Sequence, residues 1–311
     1  MTETDDRFRI AVVVVTFNSE HDVEGLIASL PAGLQGFSWQ LVIADNASSD
    51  GTVKLIRELA PEATIVEVGR NAGYAAGINA GVAAATPHDA VLILNADVRL
   101  TPGCAVDLVA ALRDPRVGIA VPRLVDGDGD LILTMRRRPS VLRAWADAVL
   151  GAERVGRYPL LGEVVTDRAL YRDDRDTDWA EGSTQLVSVA CFDRVGRWDE
   201  SFFLYSEETD YALRVFDAGL VVRYVASTTA IHLEGNSQES PGLWRLLTLN
   251  RVRLFSRRHG KPATVAYWAA LTFREASRAA LGHRISKAAI RALVDPRSLR
   301  EIPGPDVVAR G

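Results

Sequence analysis

Cysteine is nearly missing from this chain: among 311 residues only Cys104 and Cys191 carry a thiol. Two thiols exclude a disulfide framework and a cysteine-based zinc site, and they suit a reducing, cytoplasmic setting. Long apolar runs are missing as well, since no uninterrupted stretch approaches the ~18–20 residues needed to span a bilayer. The first residues, Met1 to Asp6, are acidic and lack the basic-then-apolar pattern of a secretion signal. A soluble or membrane-peripheral protein is therefore expected. Positive charge is not in excess either. The formal net charge of -4 carries no general nucleic-acid signature, and the chain shows no internal repeat or low-complexity tract. What remains is an ordinary globular composition, 48% hydrophobic and 24% charged, long enough for one large domain or two smaller ones.

Within that composition the first 120 residues alternate strand and helix signals. Apolar runs at Ile10 to Val15, Leu41 to Ala44, Ile65 to Val68 and Val91 to Leu94 predict four strands. Between them lie helical patterns over Ser19 to Leu30, with a Ser19/Asp22 capping pair, up to Leu59, and over the small residues Gly73 to Ala85. Such units imply a doubly wound, mostly parallel sheet flanked by helices. Asp126 to Asp130 reads as a turn, and residues 135–178 as a long, partly mobile excursion of weak periodicity. Regular signals return at Leu186 to Val189, at a helix near Glu207 to Ala218 and at a strand Val221 to Val225. From Leu243 to Arg300 the pattern is helical, with thirteen Lys and Arg against Glu275 and Asp295 and interleaved aromatics.

Four polar clusters stand at the ends of predicted strands: Thr16-Phe17-Asn18, Asp45-Asn46 with Asp50, Asn71 to Asn79, and Asn95-Ala96-Asp97. A doubly wound sheet gathers such ends on one rim, where ligands bind. The run Ala90 to Leu94 stops on Asn95-Ala96-Asp97. Oxygen-bearing side chains at i, i+2 suit a hard divalent cation or a sugar-nucleotide hydroxyl, although Asn and Asp also punctuate ordinary strand exits. Gly73 and Gly77 allow close approach, either for an anion at a helix N-terminus or for tight helix–sheet packing. Glu207, Glu208 and Asp210 open a helix, which the macrodipole favours in any case, and Asp210 and Arg214 are spaced as an i, i+4 ion pair. Glu207 and Glu208 follow an aromatic run, where apolar surroundings raise a carboxyl's pKa and suit a general base. His232-Leu233-Glu234-Gly235 lies at loop distance beyond the strand Val221 to Val225.

Taken in order and spacing, these stretches resemble the family 2 glycosyltransferases, in particular rhamnosyltransferase-like bacterial members. The likeness runs over residues 8 to 240 and includes Val14 to Asn18, Asp45 to Thr52, Asn71 to Asn79, Leu94 to Val98, Gly196 to Glu200, Phe202 to Asp210 and His232 to Ser237. It implies a GT-A fold: a catalytic domain 1–240, divided into a nucleotide-sugar half 8–120 and an acceptor half 121–240, with a basic helical extension 241–311. It further implies inverting transfer from a nucleotide-diphospho-sugar, L-rhamnose from a dTDP donor being the first choice. Thr16, Asn18, Asp45 and Asn46 would hold base and ribose. Asn71, Gly73, Asn79 and Asn95 would lie along ribose and diphosphate. Asp97, with His232, would ligand Mg²⁺ or Mn²⁺, and Glu208, preceded by Glu207, occupies the position of the family's usual catalytic Asp. The sequence departs from the family in having Asn-Ala-Asp in place of Asp-x-Asp, one charge fewer, and Glu as base, one methylene longer. Glu181 stands in a triplet, Glu181-Gly182-Ser183, where the family often has Ser-Gly-Ala, and is expected at the sugar or acceptor.

The implied partners are the nucleotide-sugar and a glycan, polyprenyl-linked or small-molecule acceptor. The basic C-terminal helices fit either an anionic membrane surface, on the cytoplasmic side, or packing on the catalytic domain with Arg stems over apolar surface. A homodimer is held open, and nucleic acid is not expected. Two alternatives stand beside the transferase: a nucleotidyltransferase of similar fold, which would carry a Gly-rich basic loop after the first strand where Thr16 to Glu20 has none, and a non-catalytic nucleotide-sugar-binding subunit.

Overall fold

The β-branched runs read from the sequence do form the centre of the fold. The computed structural model describes residues 8–233, 240–300 and 304–305. Its first half contains β1 (Arg9–Thr16), α1 (Val23–Gly33), β2 (Ser38–Asp45), α2 (Thr52–Leu59), β3 (Thr64–Glu67), α3 (Tyr74–Ala84), β4 (Ala90–Asn95), β5 (Val98–Leu100), α4 (Cys104–Leu112) and β6 (Val117–Val125). The second half adds β7 (Met135–Arg136), α5 (Val141–Leu150), α6 (Ala152–Val155), β8 (Arg175–Thr177), β9 (Trp179–Ala180), β10 (Thr184–Ser188), α7 (Val189–Val195), α8 (Glu207–Asp217) and β11 (Val221–His232). Three helices follow: α9 (Pro241–Arg258), α10 (Lys261–Ala280) and α11 (Arg284–Val294).

Among the described residues a nine-stranded sheet runs β3-β2-β1-β4-β10-β6-β11-β5, with β8 on β11 and a separate β7-β9 pair. It is parallel from β3 to β4, antiparallel at β10 and parallel again between β6 and β11. Alternate residues of the central strands feed two apolar layers, as a period of two requires. Val12, Val14 and Leu92 pack with α1 and α4 through Leu26, Leu30 and Leu108. Val13 and Ile93 pack on the other face with Ile78, Tyr211 and Val215. Burial on both faces explains why these strands read as continuous apolar runs. The runs stop at one height, because Thr16 is in register with Asp45, and Val15 with Asn95.

Helix α3 lies against β1 through two glycines one turn apart. A Cβ added at Gly77 or Gly81 would come within 2.5 Å of a Val15 or Val13 methyl. Helix α1 differs from the sequence expectation: it begins at Val23 and runs through Pro31 to Gly33, and Asp22 at its N-cap makes no side-chain cap. The Ser19 hydroxyl and N–H are taken up by Phe17 and Thr52 instead.

Two larger differences matter for the site. Strand β11 continues seven residues past Val225, so His232 ends a strand and does not sit in a loop. A register shift between Val225 and Thr229 interrupts the apolar pattern there. The Thr228 hydroxyl donates to the Cys104 carbonyl at this break, pairing with β6 resumes at Thr229 and pairing with β5 begins at Ala230. The excursion 135–178 is also built of regular elements, among them α5, α6 and a single 3₁₀ turn over Arg168–Tyr171. Its buried Tyr171 accepts from the Met135 N–H, donates to the Val165 carbonyl and meets the Tyr224 ring edge-on at 5.4 Å. Hydrogen bonds such as Arg137 to the Gly156 and Gly162 carbonyls hold it, and these leave no periodic signature. Helix α5 in turn packs its Ala144 against Phe255, Tyr267, Leu271 and Leu293 of the last three helices.

A Gly81→Val variant must push α3 off β1. The expected cost is about 1–3 kcal/mol, read as a lower urea midpoint at unchanged slope; parental stability would refute the close approach.

Candidate active site

The strand ends form the wall of a cavity of about 720 Å³ whose lining includes Thr16, Asn46, Asn71, Gly73, Asn95 and Asp97. Its polar wall is pre-arranged. The buried Asp45 carboxylate accepts from the hydroxyls of Thr16 and Ser48, at 2.8 and 2.6 Å, and from the Ser48 N–H. Asn18, in the left-handed region at φ 52, accepts from the N–H of Ser49 and ties the first and second loops together. Neither Asp45 nor Asn18 lines the cavity; Asp45 positions the lining Thr16, and Asn18 braces the adjoining loop. Asn46 donates from its amide to the Gly73 carbonyl at 3.1 Å.

Two expected residues act otherwise. The first N–H of α3 is already taken, because the Tyr74 N–H donates to the Phe203 carbonyl at 2.9 Å. Gly73, at φ 93, is required for that approach, since a Cβ would lie 2.2 Å from the same oxygen. Asn79 lies inside α3 and cross-links the fold. Its amide donates to the Trp198 carbonyl and to Glu200, and its oxygen accepts from the Trp198 N–H. It does not line the cavity.

Beyond β4 the chain turns back as β5, which pairs antiparallel with β11 and sets His232 opposite Val98. This pairing brings His232 Nε2 to 3.3 Å from Asp97 Oδ1, while Nδ1 faces Glu181 Oε1 at 3.8 Å. Burial opposes the charge on Asp97, but the hydrogen bond and charge of His232, with Arg99 beyond, hold its carboxyl below the usual range. A carboxylate beside an imidazole is an oxygen and nitrogen donor pair that fits Mn²⁺ or Mg²⁺ with a ligand's oxygens completing the shell. Among the described residues no group of three such side chains is arranged for a metal, so those residues supply a donor pair and not a full ligand set. Glu234 to Ser237 lie outside the described residues.

A second cavity, of about 430 Å³, adjoins the first. Leu243 lines both, and the segment Phe203–Ser206 runs between them, its first two residues in one wall and its last two in the other. Glu208, Glu181, Arg136, Trp179 and Arg251 line the second cavity. Burial, then the nearby Glu181, push the Glu208 carboxyl up to about 7 against the opposing Arg136. Glu207 is buried behind it, its pKa raised by burial and by Glu208, and its Oε2 has no hydrogen-bond partner among the described residues. Gly182 packs against the Glu208 Cβ, and the Tyr74 hydroxyl donates to the Gly182 carbonyl at 3.3 Å.

Strained backbone aims this helix start. Tyr205 and Ser206 both have positive φ, at 67° and 74°, which costs a non-glycine residue roughly 1 kcal/mol or more. The fully buried Asn250 of α9 holds them by donating to the carbonyls of Leu204 and Tyr205 at 2.9 and 3.1 Å. Arg257 adds bonds to Asp199 and Ser201. Four of the basic residues in the C-terminal helices are therefore engaged internally, since Arg251 and Arg258 bond Glu163 and Asp217 and Arg245 bonds Ser298. The predicted Asp210–Arg214 pair forms at 2.8 Å. Tyr74, Phe203, Arg136, Trp179 and Asn250 were not singled out from sequence. Tyr74 carried a signal by standing inside a polar cluster, and Phe203 by standing in the aromatic run before Glu207.

Comparison with known proteins agrees with this architecture. Residues 11–174 match the model of glycosyl transferase family 2. The chain is 32% identical over 239 residues, 73% of its own length and 77% of the relative's, to the N-acetylglucosaminyl-diphospho-decaprenol L-rhamnosyltransferase of Mycobacterium tuberculosis. It is 21% identical to the rhamnosyltransferase WbbL of Escherichia coli, over 74% of this chain and 86% of that one. Among solved structures, the mannosyltransferase PcManGT from Pyrobaculum calidifontis, in complex with GDP-Man and Mn²⁺, shares the fold with a TM-score of 0.58 at 18% identity, covering 97% of this chain and 86% of that one.

Two expectations follow from the geometry. With the Glu208 pKa raised from 4.5 to about 7, the folded state holds a proton that the unfolded chain releases. Its stability contribution therefore falls as pH rises from about 4.5 to about 7 and stays lost above. Glu208→Gln should accordingly unfold at a higher temperature than the parent at pH 8, by about 1–3 kcal/mol, and the difference should vanish near pH 4. Asn250→Leu leaves two carbonyls of a strained turn unpaired and should cost about 1–3 kcal/mol in denaturant titration; an unchanged midpoint would remove the clamp from the account.

Proposed function

The chain belongs to glycosyl transferase family 2 and is a sugar-transferring enzyme, and from that premise we propose that it moves L-rhamnose from a dTDP-linked donor to a hydroxyl of a polyprenyl-diphosphate-linked glycan. The observation that carries this reading is the adjacency of two cavities across one four-residue segment, Asp97 in the wall of one and Glu208 in the wall of the other. The identity of donor and acceptor is supported by the mycobacterial relative, whose name specifies L-rhamnose and an N-acetylglucosaminyl-diphospho-decaprenol.

In this reading the nucleotide-diphospho-sugar lies in the larger cavity, with Thr16 and Asn46 toward base and ribose and Asn71, Gly73 and Asn95 toward the diphosphate. Asn18 and Asp45 act by holding those residues in place. Asp97 and His232 would hold Mn²⁺ or Mg²⁺, which when bound neutralises charge developing on the departing diphosphate. With one acid in the Asn-Ala-Asp motif, the metal leans on the donor's own oxygens. The acceptor hydroxyl enters from the smaller cavity. Glu208 removes its proton as the acceptor oxygen bonds to the anomeric carbon from the face opposite the leaving group. The carbon–oxygen bond to the nucleotide diphosphate breaks, and the configuration inverts. A base whose pKa lies near 7 is well matched to this proton transfer at neutral pH. Glu208 is favoured over Glu207 because it lines the cavity while Glu207 is buried behind it. Unlike a glycosidase, the reaction needs no second acid on the leaving oxygen. The nucleotidyltransferase and non-catalytic alternatives lose their ground with the family assignment. A lipid-linked acceptor would bring the protein to the cytoplasmic membrane face; no helix among the described residues is long and apolar enough to cross a membrane.

Thermal-shift titration with dTDP, UDP and GDP, with and without Mn²⁺, tests the donor site, and stabilisation by dTDP plus Mn²⁺ is the expected result. The parent's kcat/KM should rise with pH through about 7. Glu208→Gln should lower transfer by about 10²–10⁴-fold and keep nucleotide affinity. A fully active variant would remove Glu208 from the base role.

A further inference from the structure

The outer face of α5 is apolar where a solvated helix would be polar. Leu142, Trp145 and Val149 stand at i, i+3 and i+7, one stripe of the helix, and all three are exposed, Val149 by 63%. Neighbouring residues extend the stripe on both sides. On one side Arg143 donates to the Pro159 carbonyl, which fixes the turn that carries Tyr158 and Leu160, the latter 74% exposed. On the other, Trp145 meets the exposed Phe273 of α10 with ring centroids 5.9 Å apart. Leu281, two turns beyond Phe273, is 80% exposed. Tryptophan and phenylalanine side chains displayed together on a surface are unusual unless something covers them.

The exposed charges of these stretches are mostly positive. Arg154, Arg157, Arg284 and Lys287 are exposed on α6, the following turn and α11, while Glu153 is the exposed acid among residues 141–160 and 273–291. Of the other two acids in those stretches, Asp147 pairs with Arg274, and Glu275 is buried and receives the Trp244 indole N–H. An apolar stripe with aromatics at its centre and cations at its border matches the boundary between acyl chains and anionic headgroups. The stripe also adjoins the acceptor-side cavity, which has Asp147 and Ala152 of this same segment, and Arg274 beside Phe273, in its wall.

We propose that α5, the 158–160 turn and the exposed end of α10 together form a docking surface for an anionic lipid bilayer. The surface is carried by apolar residues of the 141–160 segment and not by the arginines of α9, several of which are spent on internal pairs. A bilayer seated there would hold a lipid-linked acceptor beside Glu208; only this consequence rests on the acceptor reading above, and vesicle binding without any acceptor tests the surface by itself.

The experiment is co-sedimentation of the full chain with vesicles of phosphatidylcholine alone and of phosphatidylcholine with phosphatidylglycerol, at low and high salt. The expected result is binding to the anionic vesicles that weakens with salt. The double variant Trp145→Ser/Phe273→Ser should reduce this binding at least about tenfold. Leu142→Glu/Val149→Glu should do the same, with circular dichroism and unfolding temperature reporting that each variant is folded. Absence of binding by the parent, or parental binding by both folded variants, would overturn the proposal. So would a concentration-dependent dimer of the parent that these substitutions dissolve, since the stripe would then be a contact between copies. Vesicle binding of the expected kind without transfer to a polyprenyl-linked acceptor would uphold the surface and overturn the acceptor reading.

Discussion

The site depends on the four residues Phe203–Ser206. Their backbone is held from two sides by elements distant in sequence: the Phe203 carbonyl takes the first N–H of α3, and the carbonyls of Leu204 and Tyr205 take both N–H groups of the buried Asn250. Between these anchors Tyr205 and Ser206 adopt positive φ, a conformation that persists only where surrounding structure over-determines it. The segment separates the two cavities, and it launches α8 so that Glu208 stands in the wall of the second with Glu207 buried beside it. Gly73 is needed for the same reason, because any side chain there would strike the Phe203 carbonyl.

This constraint makes α9 part of the site. The helix begins beyond the stretch that resembles the family, yet Asn250, Arg251 and Arg257 reach back to the strained segment, to Glu163 and to Asp199. Leu254 closes a small apolar cluster with Phe202 and Leu213 on the same side. Part of the basic character of the C-terminal helices is thus a set of bonds to the catalytic layer, made by Arg251, Arg257, Arg258 and Arg274.

Electrostatics divides labour among carboxylates that lie close together. Asp97 is kept below the usual carboxylate range by His232 and Arg99, while Glu208, in a drier setting beside Glu181, is pushed up to about 7. Opposite environments for neighbouring acids are how one site obtains both a charged ligand and a proton acceptor. Tyr74 stands between them, its hydroxyl bound to Gly182 and its pKa raised by burial and then by Glu207, Asp97 and Glu208.

The sequence by itself determined the sheet's parallel half, the order of its strands' polar ends and the family, because buried parallel strands announce themselves as apolar runs and their ends as Asn and Asp. It singled out Asp97, His232 and Glu208 as candidates by type and order. It was silent wherever residues act through hydrogen bonds between segments far apart. Asn79 looked like rim chemistry but cross-links α3 to Trp198, and the excursion 135–178 looked mobile because Tyr171 and Arg137 hold it without any periodic pattern. His232 appeared to sit in a loop because polar Ser227, Thr228 and Thr229 hide the continuation of β11. Only the tertiary structure decided which carboxylate lines a cavity, which is buried behind it, and which distant asparagine holds the turn between them. Those assignments rest on contacts across the fold, from 27 residues between Asn46 and Gly73 to 124 between Thr228 and Cys104, and no local pattern in the chain encodes them.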